Sequence, residues 1–367
     1  MTFASFVNRT QTKVAKTYLP ASIKQVIIVL IEVVYNLFHT FDKSIPNTRS
    51  RVNHYIQSAI RAHNDSGSSE KKVAIVTGAY RGIGYEHTKS LATAGYKVIM
   101  ACRDRKVAEE AIAKLKRQTG LEGDDSFEFM PLDLGSFASI NNFVEEYKKK
   151  NLPINLFVAN AGIMMLPKFT ETTDGVECQF GINHLGHFYV INSLLDIIKK
   201  SAPARIVIVS SIAQFGAEKI DYEAILDKTK YSSDYNYSVS KLANVTFANS
   251  LARKLKGTDV VVNSLHPGAV HTSLTRYLPF KSVVDFVLRL LFISPFEGSS
   301  NQTFVALDPE QTQSGKFYSH EVLICILMML AWMLTNRISF GNFRKNSFLT
   351  LIASSSSRSS DFVICIS

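Results

Sequence analysis

The chain is short of cysteine, of long apolar runs and of concentrated charge, and each shortage removes a class of protein. Its four cysteines, Cys102, Cys178, Cys325 and Cys365, have neither metal-ligand spacing nor a framework pattern, so reduced thiols in a reducing compartment are expected. The most apolar stretches, Val26 to Phe38 and Val322 to Leu334, fall short of the ~20 residues a membrane span takes. No small-residue cleavage site follows the first, which argues against a signal peptide. The formal net charge of +10 raises the question of nucleic acid. Its excess lies largely in residues 1–70 and 321–367, and no basic stretch interleaves with aromatics, so no nucleic-acid partner is expected and an anionic lipid surface suits the ends better. His184 and His187 stand three apart, yet no carboxylate or thiolate joins them at ligand spacing. No metal is expected, and both read as packing or surface residues.

What remains is a globular composition, 46% apolar and 20% charged, in three parts. Residues 1–70 form an extension. As a helix its apolar segment leaves Gln25, Glu32, Asn36 and Lys43 as a narrow polar stripe, which fits either a helix lying in a bilayer interface or one packed on the domain or a dimer partner. The polar stretch RAHNDSGSSE (61–70) reads as a linker. Residues 321–367 hold the second apolar segment, a basic patch (Arg337, Arg344, Lys345) and a serine-rich tail.

Between them, residues 71–320 alternate short β-branched runs with helix-length segments. The runs are Val73–Val76, Lys97–Ala101, Phe127–Met130, Ile154–Ala159, Arg205–Val209, Val260–Leu265 and Lys316–Tyr318. Such alternation predicts βαβ units and a doubly wound, Rossmann-type α/β domain: a parallel sheet of about seven strands covered by helices on both faces.

In that setting VTGAYRGIG (76–84) acquires a mechanism. Gly78, Gly82 and Gly84 let the backbone turn tightly after a strand and approach a pyrophosphate, to which the next helix offers its N-terminal N–H groups. The spacing is G-x-x-x-G-x-G rather than the usual G-x-G-x-x-G. Further on, YSVSK (237–241) puts Tyr237 and Lys241 on one helix face. An ammonium ~4 Å from a phenol, at an effective dielectric of ~20, is worth about 4 kcal/mol, enough to let the phenol exchange protons at working pH.

Taken with five further matches in order, these motifs resemble the short-chain dehydrogenase/reductase family, most of all its retinol dehydrogenase-like branch, over roughly residues 71–320. Thr77, Gly78, Gly82, Ile83 and Gly84 match the cofactor turn. Asp133 and Leu134 match the pair that contacts adenine, and Asn160, Ala161 and Gly162 the NAG that closes the fourth strand. Asn183 matches the helix asparagine, Ser211 the serine, and Pro267, Gly268 and Thr272 the nicotinamide-side loop. The resemblance implies Tyr237 as general acid/base and Lys241 as the group that tunes it and holds the nicotinamide ribose. Ser211 would bond the substrate oxygen, and Asn183 would help keep a water that feeds protons to Lys241. Ser210 competes with Ser211, and pleat alternation puts one of the two on the substrate side.

NAD enzymes of the family carry an acid at the end of the second strand, where this chain has Cys102, followed by Arg103. Together with Arg81 from the glycine turn this predicts NADP(H) in preference to NAD(H), with Asp104 as counter-evidence. The segment His271–Glu297 is the expected substrate lid; Val283, Phe286, Val287, Leu290 and Leu291 form an amphipathic stripe suited to a lipophilic alcohol or carbonyl, retinoid- or steroid-like by resemblance. Membrane association through the terminal segments is expected, at the endoplasmic reticulum with the catalytic domain facing the cytosol. The sequons at Asn236, Asn244 and Asn301 support that side, since a glycan beside Tyr237 would obstruct the site. A homo-oligomer is compatible with the sequence. The competing reading is a non-catalytic dinucleotide-binding module that uses its extensions to hold partners.

Overall fold

Five consecutive buried residues, Val73–Thr77, form β1 in the middle of the sheet. A parallel strand covered on both faces shows no polar alternation, which is why the run is apolar without interruption. The computed structural model describes residues 47–123, 125–268, 270 and 293–319, together with the backbone of 363–364. The other strands are β2 (Lys97–Cys102), β3 (Phe127–Pro131), β4 (Leu156–Ala159), β5 (Ala204–Val209), β6 (Val260–Leu265) and β7 (Phe317–Tyr318), in the order β3-β2-β1-β4-β5-β6-β7 and parallel throughout. The doubly wound fold expected from the sequence is present. A two-residue strand, β8 (Val363–Ile364), pairs antiparallel with β7, where the edge of the sheet would otherwise leave its backbone groups unpaired.

Pleat alternation divides the core in two. Ala74, Val76, Val98, Met100, Leu156 and Val158 pack on one side, and Val73, Ile75, Ile99, Ala101, Phe157 and Ala159 on the other, as the two-residue period requires. Helix α1 spans Thr48–Asp65, α2 Gly82–Thr93, α3 Arg105–Thr119, α4 Phe137–Lys150, α5 Gly186–Lys200, α6 Ser233–Lys254 and α7 Pro295–Leu307. The first side is covered by α2, α3 and α7 with α1 outside them; α4, α5 and α6 cover the second.

Local chemistry sets the helix ends. The Asp104 carboxylate caps α3 by accepting from the Val107 N–H at 3.2 Å, and Gly120 ends that helix in the left-handed region at φ 73°. Ser294 and Glu297 form a reciprocal capping box at the start of α7, with Pro295 in its first turn, an arrangement that satisfies otherwise orphaned N–H groups.

Helix α1 departs from the sequence reading. It continues through Asp65, so the stretch 61–70 begins as helix rather than as a linker. Val52, Tyr55 and Ile56 are buried at the i, i+3, i+4 spacing of one face, and the Tyr55 ring meets Phe304 of α7 at 5.2 Å between centroids. The stripe continues through the partly buried Ala59 and Ile60, and the mostly polar residues from Arg61 to Asp65 hid the last turn of the helix. The apolar segments at 26–38 and 322–334, most of the expected lid, and Thr272 lie outside the described residues. Among the described residues no helix is long and apolar enough to cross a membrane.

Candidate active site

The strand order reverses between β1 and β4, and in open α/β sheets the crevice beyond the C-terminal strand ends at such a point is where ligands bind. The glycine turn leaves β1 there. Gly78 and Gly82 have φ of 66° and 58°, the left-handed region that glycine occupies without steric cost. A Cβ on Gly84 would meet the Asn160 side-chain amide and come within 2.6 Å of the Gly78 carbonyl. That glycine is therefore required by close packing within the turn. No side chain caps the N-terminus of α2, whose N-cap is Arg81. An uncapped helix start behind a left-handed glycine turn fits the pyrophosphate of a dinucleotide.

The NAG segment is tied to this turn. Asn160 Nδ2 donates to the Thr77 carbonyl at 2.8 Å, and Thr77 Oγ1 accepts the N–H groups of Asn160 and Ala161, both at 2.9 Å. From α7, Gln302 Nε2 donates to Asn160 Oδ1 at 2.9 Å. Gly162 leaves room at its far end: a Cβ there would stand 3.2 Å from Asn183 Oδ1 and 3.6 Å from Lys241 Nζ.

Cys102 ends β2, buried, and burial pushes its thiol up to about 11. Arg81 and Arg103 are both exposed, with the Arg81 guanidinium 5.0 Å from the Tyr80 ring centre. Asp104 spends its carboxylate on the α3 cap. After β3, half-buried Asp133 accepts from the Gly135 N–H at 2.9 Å and Leu134 is buried. Pro267 and Gly268 follow β6 half-buried, with Gly268 at φ 91°.

On the second face, Asn183 sits in a π-helical turn, Gly181–Leu185, that feeds α5; such insertions gather at functional sites. Its side chain is fully committed. Oδ1 accepts from the Ile163 N–H at 2.8 Å, and Nδ2 donates to the Ile163 carbonyl at 2.9 Å and to Ser240 Oγ at 3.0 Å. Ser240 in turn donates to the Tyr237 carbonyl at 2.7 Å. The backbone carbonyl of Asn183 accepts from His187 Nδ1 at 3.0 Å and from Asn244 Nδ2 at 3.1 Å.

Tyr237 and Lys241 lie one turn apart on α6. Lys241 is buried, its Nζ donates to the Val209 carbonyl at 3.2 Å and stands 5.6 Å from the centre of the Tyr237 ring. Burial lowers its pKa to about 8, which leaves it mostly cationic at neutral pH. The adjacent serines separate as the pleat requires. Ser210 is buried and donates to the Lys241 carbonyl at 2.7 Å, whereas Ser211 is half-buried and accepts from the Ala213 N–H at 3.1 Å.

Direct contacts thus link Thr77, the glycine turn, Asn160–Gly162, Asn183 and Lys241, with the Tyr237 ring beside Lys241 and Ser211 two residues beyond the Val209 carbonyl that Lys241 reaches. Sequence reasoning missed the groups that hold them. His187, read as packing, bridges Asn183 and Thr77. Ser240 ties Asn183 to the Tyr237 carbonyl. Gln179 Oε1 accepts from the N–H of Met165, a non-glycine residue at φ 53°, and Tyr231 donates to the next carbonyl, Leu166, at 2.6 Å. A polar residue inside an apolar helix face was the available signal for His187. The others carried none.

The sequon argument also changes. Asn236, Asn244 and Asn301 are all buried, and Asn301 Nδ2 donates to the His266 carbonyl at 2.7 Å. A glycan on any of the three, not only on the one beside Tyr237, is incompatible with this fold. Among the described residues no group of three His, Cys, Asp or Glu could hold a metal ion.

Comparison with known proteins agrees with this geometry. The profile of the short chain dehydrogenase family matches residues 72–281. Human retinol dehydrogenase 14 is 38% identical over 275 residues, 71% of this chain and 81% of the relative. Human polyprenol dehydrogenase is 38% identical over 255 residues, 67% of this chain and 76% of the relative. Among solved structures, salutaridine reductase from Papaver somniferum superposes with a TM-score of 0.53 at 22% identity, covering 68% of this chain and all of that one, a likeness of fold.

Proposed function

Since the chain belongs to the short chain dehydrogenase family, we propose that it is an NADP(H)-dependent oxidoreductase of a lipophilic, retinoid-like alcohol or carbonyl, with Tyr237 as general acid/base. Membership makes it an oxidoreductase acting on CH–OH groups, and no observation favours the binding-module reading. The observation that carries the chemistry is the buried Lys241 ammonium facing the Tyr237 ring beside the glycine turn.

The nicotinamide, when bound, supplies or accepts a hydride. The chain's own groups do the rest. The turn at Gly78–Gly84 and the start of α2 hold the dinucleotide. Lys241 stabilises negative charge developing on the Tyr237 oxygen as a proton leaves for, or arrives from, the substrate oxygen. Ser211 donates a hydrogen bond to that oxygen as charge develops on it, a contribution of a few kcal/mol. Asn183 holds Ile163 and, through Ser240, the first turn beyond Tyr237, so the donors stay aimed without reorganising.

NADP(H) preference rests on three features. Cys102 offers no carboxylate to a ribose hydroxyl, Arg81 in the glycine turn and Arg103 just after β2 are both exposed, and Asp104 is occupied as a cap. Two guanidiniums favour a 2′-phosphate through charge-assisted bonds; NAD(H) is the weaker alternative. The lipophilic substrate is proposed from the relatives named for retinol and polyprenol. Attachment to an endoplasmic-reticulum membrane with the domain on the cytosolic side is proposed from residues 26–38 and 322–334 and their basic flanks. The test is a fluorescence titration with NADPH and NADH followed by a panel of lipophilic aldehydes and ketones. Turnover with NADPH on long-chain or polyene aldehydes is expected; cofactor binding with no turnover across the panel would refute the reading.

A further inference from the structure

His187 is wholly enclosed, and its neighbours allow one arrangement of protons. Nδ1 lies 3.0 Å from the Asn183 carbonyl, and a carbonyl only accepts, so the proton is on Nδ1. Burial holds the ring neutral, with a pKa of about 3. Nε2 therefore carries a lone pair and accepts from the Thr77 hydroxyl at 2.8 Å. The other acceptor within reach of that hydroxyl, the Val158 carbonyl, is at 3.4 Å. Thr77 Oγ1 meanwhile accepts the N–H groups of Asn160 and Ala161, each at 2.9 Å.

Every donor in this chain points the same way: the NAG amides to Thr77, Thr77 to His187, and His187 to the Asn183 carbonyl. Aligned bonds polarise one another, and between buried groups each becomes costly to break. The chain joins β1, the end of β4 and the π-turn, three elements with no covalent proximity; Thr77 and His187 are 110 residues apart.

We infer that His187 is a positioning residue whose imidazole holds the π-turn carrying Asn183 in register with the glycine turn, coupling dinucleotide docking at one end to the proton-transfer groups at the other. This rests on the oxidoreductase reading above. It assigns each ring nitrogen a separate task, which two conservative substitutions separate. In His187→Asn the amide reaches Asn183 but is too short for Thr77. In His187→Gln the side-chain oxygen reaches Thr77 while the bond to Asn183 is lost.

His187→Asn is expected to weaken NADPH binding by about fivefold with kcat kept within twofold, and His187→Gln to lower kcat by about fivefold with NADPH affinity kept, given that a neutral buried hydrogen bond contributes roughly a factor of five. A histidine that only fills the core would lower the melting temperature of both variants and move neither constant; that result would overturn the inference. A second measurement uses the unaltered protein. Saturating 2′-phospho-ADP-ribose, which has the pyrophosphate but no nicotinamide, should slow hydrogen–deuterium exchange in residues 181–187 by about fivefold. Unchanged exchange there would also overturn it. This arm needs neither a folded variant nor turnover. An inactive enzyme that still shows the slowed exchange would refute the oxidoreductase reading alone, whereas normal turnover with unchanged exchange would refute the coupling alone.

Discussion

Ser210 donates to the backbone carbonyl of Lys241 at 2.7 Å, so the adjacent pair Ser210–Ser211 is divided between scaffold and site. The first serine ties β5 to α6, and the second is left at the crevice. Ser211→Ala is therefore expected to lower kcat by about 100-fold, the usual loss when one donor to a developing oxyanion is removed. Ser210→Ala should instead cost about 1 kcal/mol of stability with kcat changed less than fivefold. Steady-state kinetics and urea melts of the two variants check the division; reversed effects would exchange the assignments.

Tyr237→Phe keeps the ring beside Lys241 and removes the hydroxyl. We expect kcat to drop by at least about 100-fold while NADPH affinity stays within twofold, because proton transfer and not dinucleotide binding is lost. A variant that keeps a tenth of the wild-type rate would show that another group moves the proton.

Arg103 is exposed at the end of β2, with the competing Asp104 carboxylate turned into the helix cap. Arg103→Ala should weaken NADPH binding by about tenfold, the worth of one charge-assisted contact, and leave NADH nearly unaffected. Equal losses for both cofactors in parallel titrations would remove Arg103 from the 2′-phosphate site.

Acid should destabilise the protein in a defined window. Burial holds His87 and His187 down to about 3 and His184 down to about 4, against 6.5 when exposed. Below pH 6.5 the unfolded chain binds protons that the folded chain refuses, so stability falls as pH falls from about 6.5 towards 4. Each histidine contributes a slope of up to about 1.4 kcal/mol per pH unit. Buried Glu177, with its pKa raised by desolvation, acts in the opposite sense, one group against three. Urea midpoints at pH 7.5 and 5.5 test this; equal midpoints would mean that the imidazoles accept protons in the folded state.

Truncation should distinguish the N-terminal helix from the segment before it. Removing residues 1–60 takes Val52, Tyr55 and Ile56 out of the core and should cost several kcal/mol, at roughly 1.5–3 kcal/mol for each side chain buried. Removing residues 1–46 keeps α1 with its Asn47 cap and should leave the melting temperature within a few degrees. If residues 26–38 bind the membrane, the shorter truncation also shifts the protein from pellet to supernatant. Continued pelleting would point to residues 322–334.

The strands, the glycine turn and the Tyr237–Lys241 pair were legible in the sequence because each is a local pattern: an uninterrupted β-branched run, glycines at fixed offsets, two side chains one helical turn apart. Their common crevice followed from the order of the strands. What only the tertiary structure decided is how those parts are held. The Thr77–His187 and Asn183–Ser240 bonds, Gln302 reaching Asn160 from α7, the burial of all three sequon asparagines and the docking of α1 on Phe304 join residues far apart in the chain. A hydrogen bond across such a distance leaves no periodic trace in either segment, and a polar residue looks the same in sequence whether it faces water or a buried partner. Backbone period marks where a side chain can point; the packing of one element against another decides what it meets.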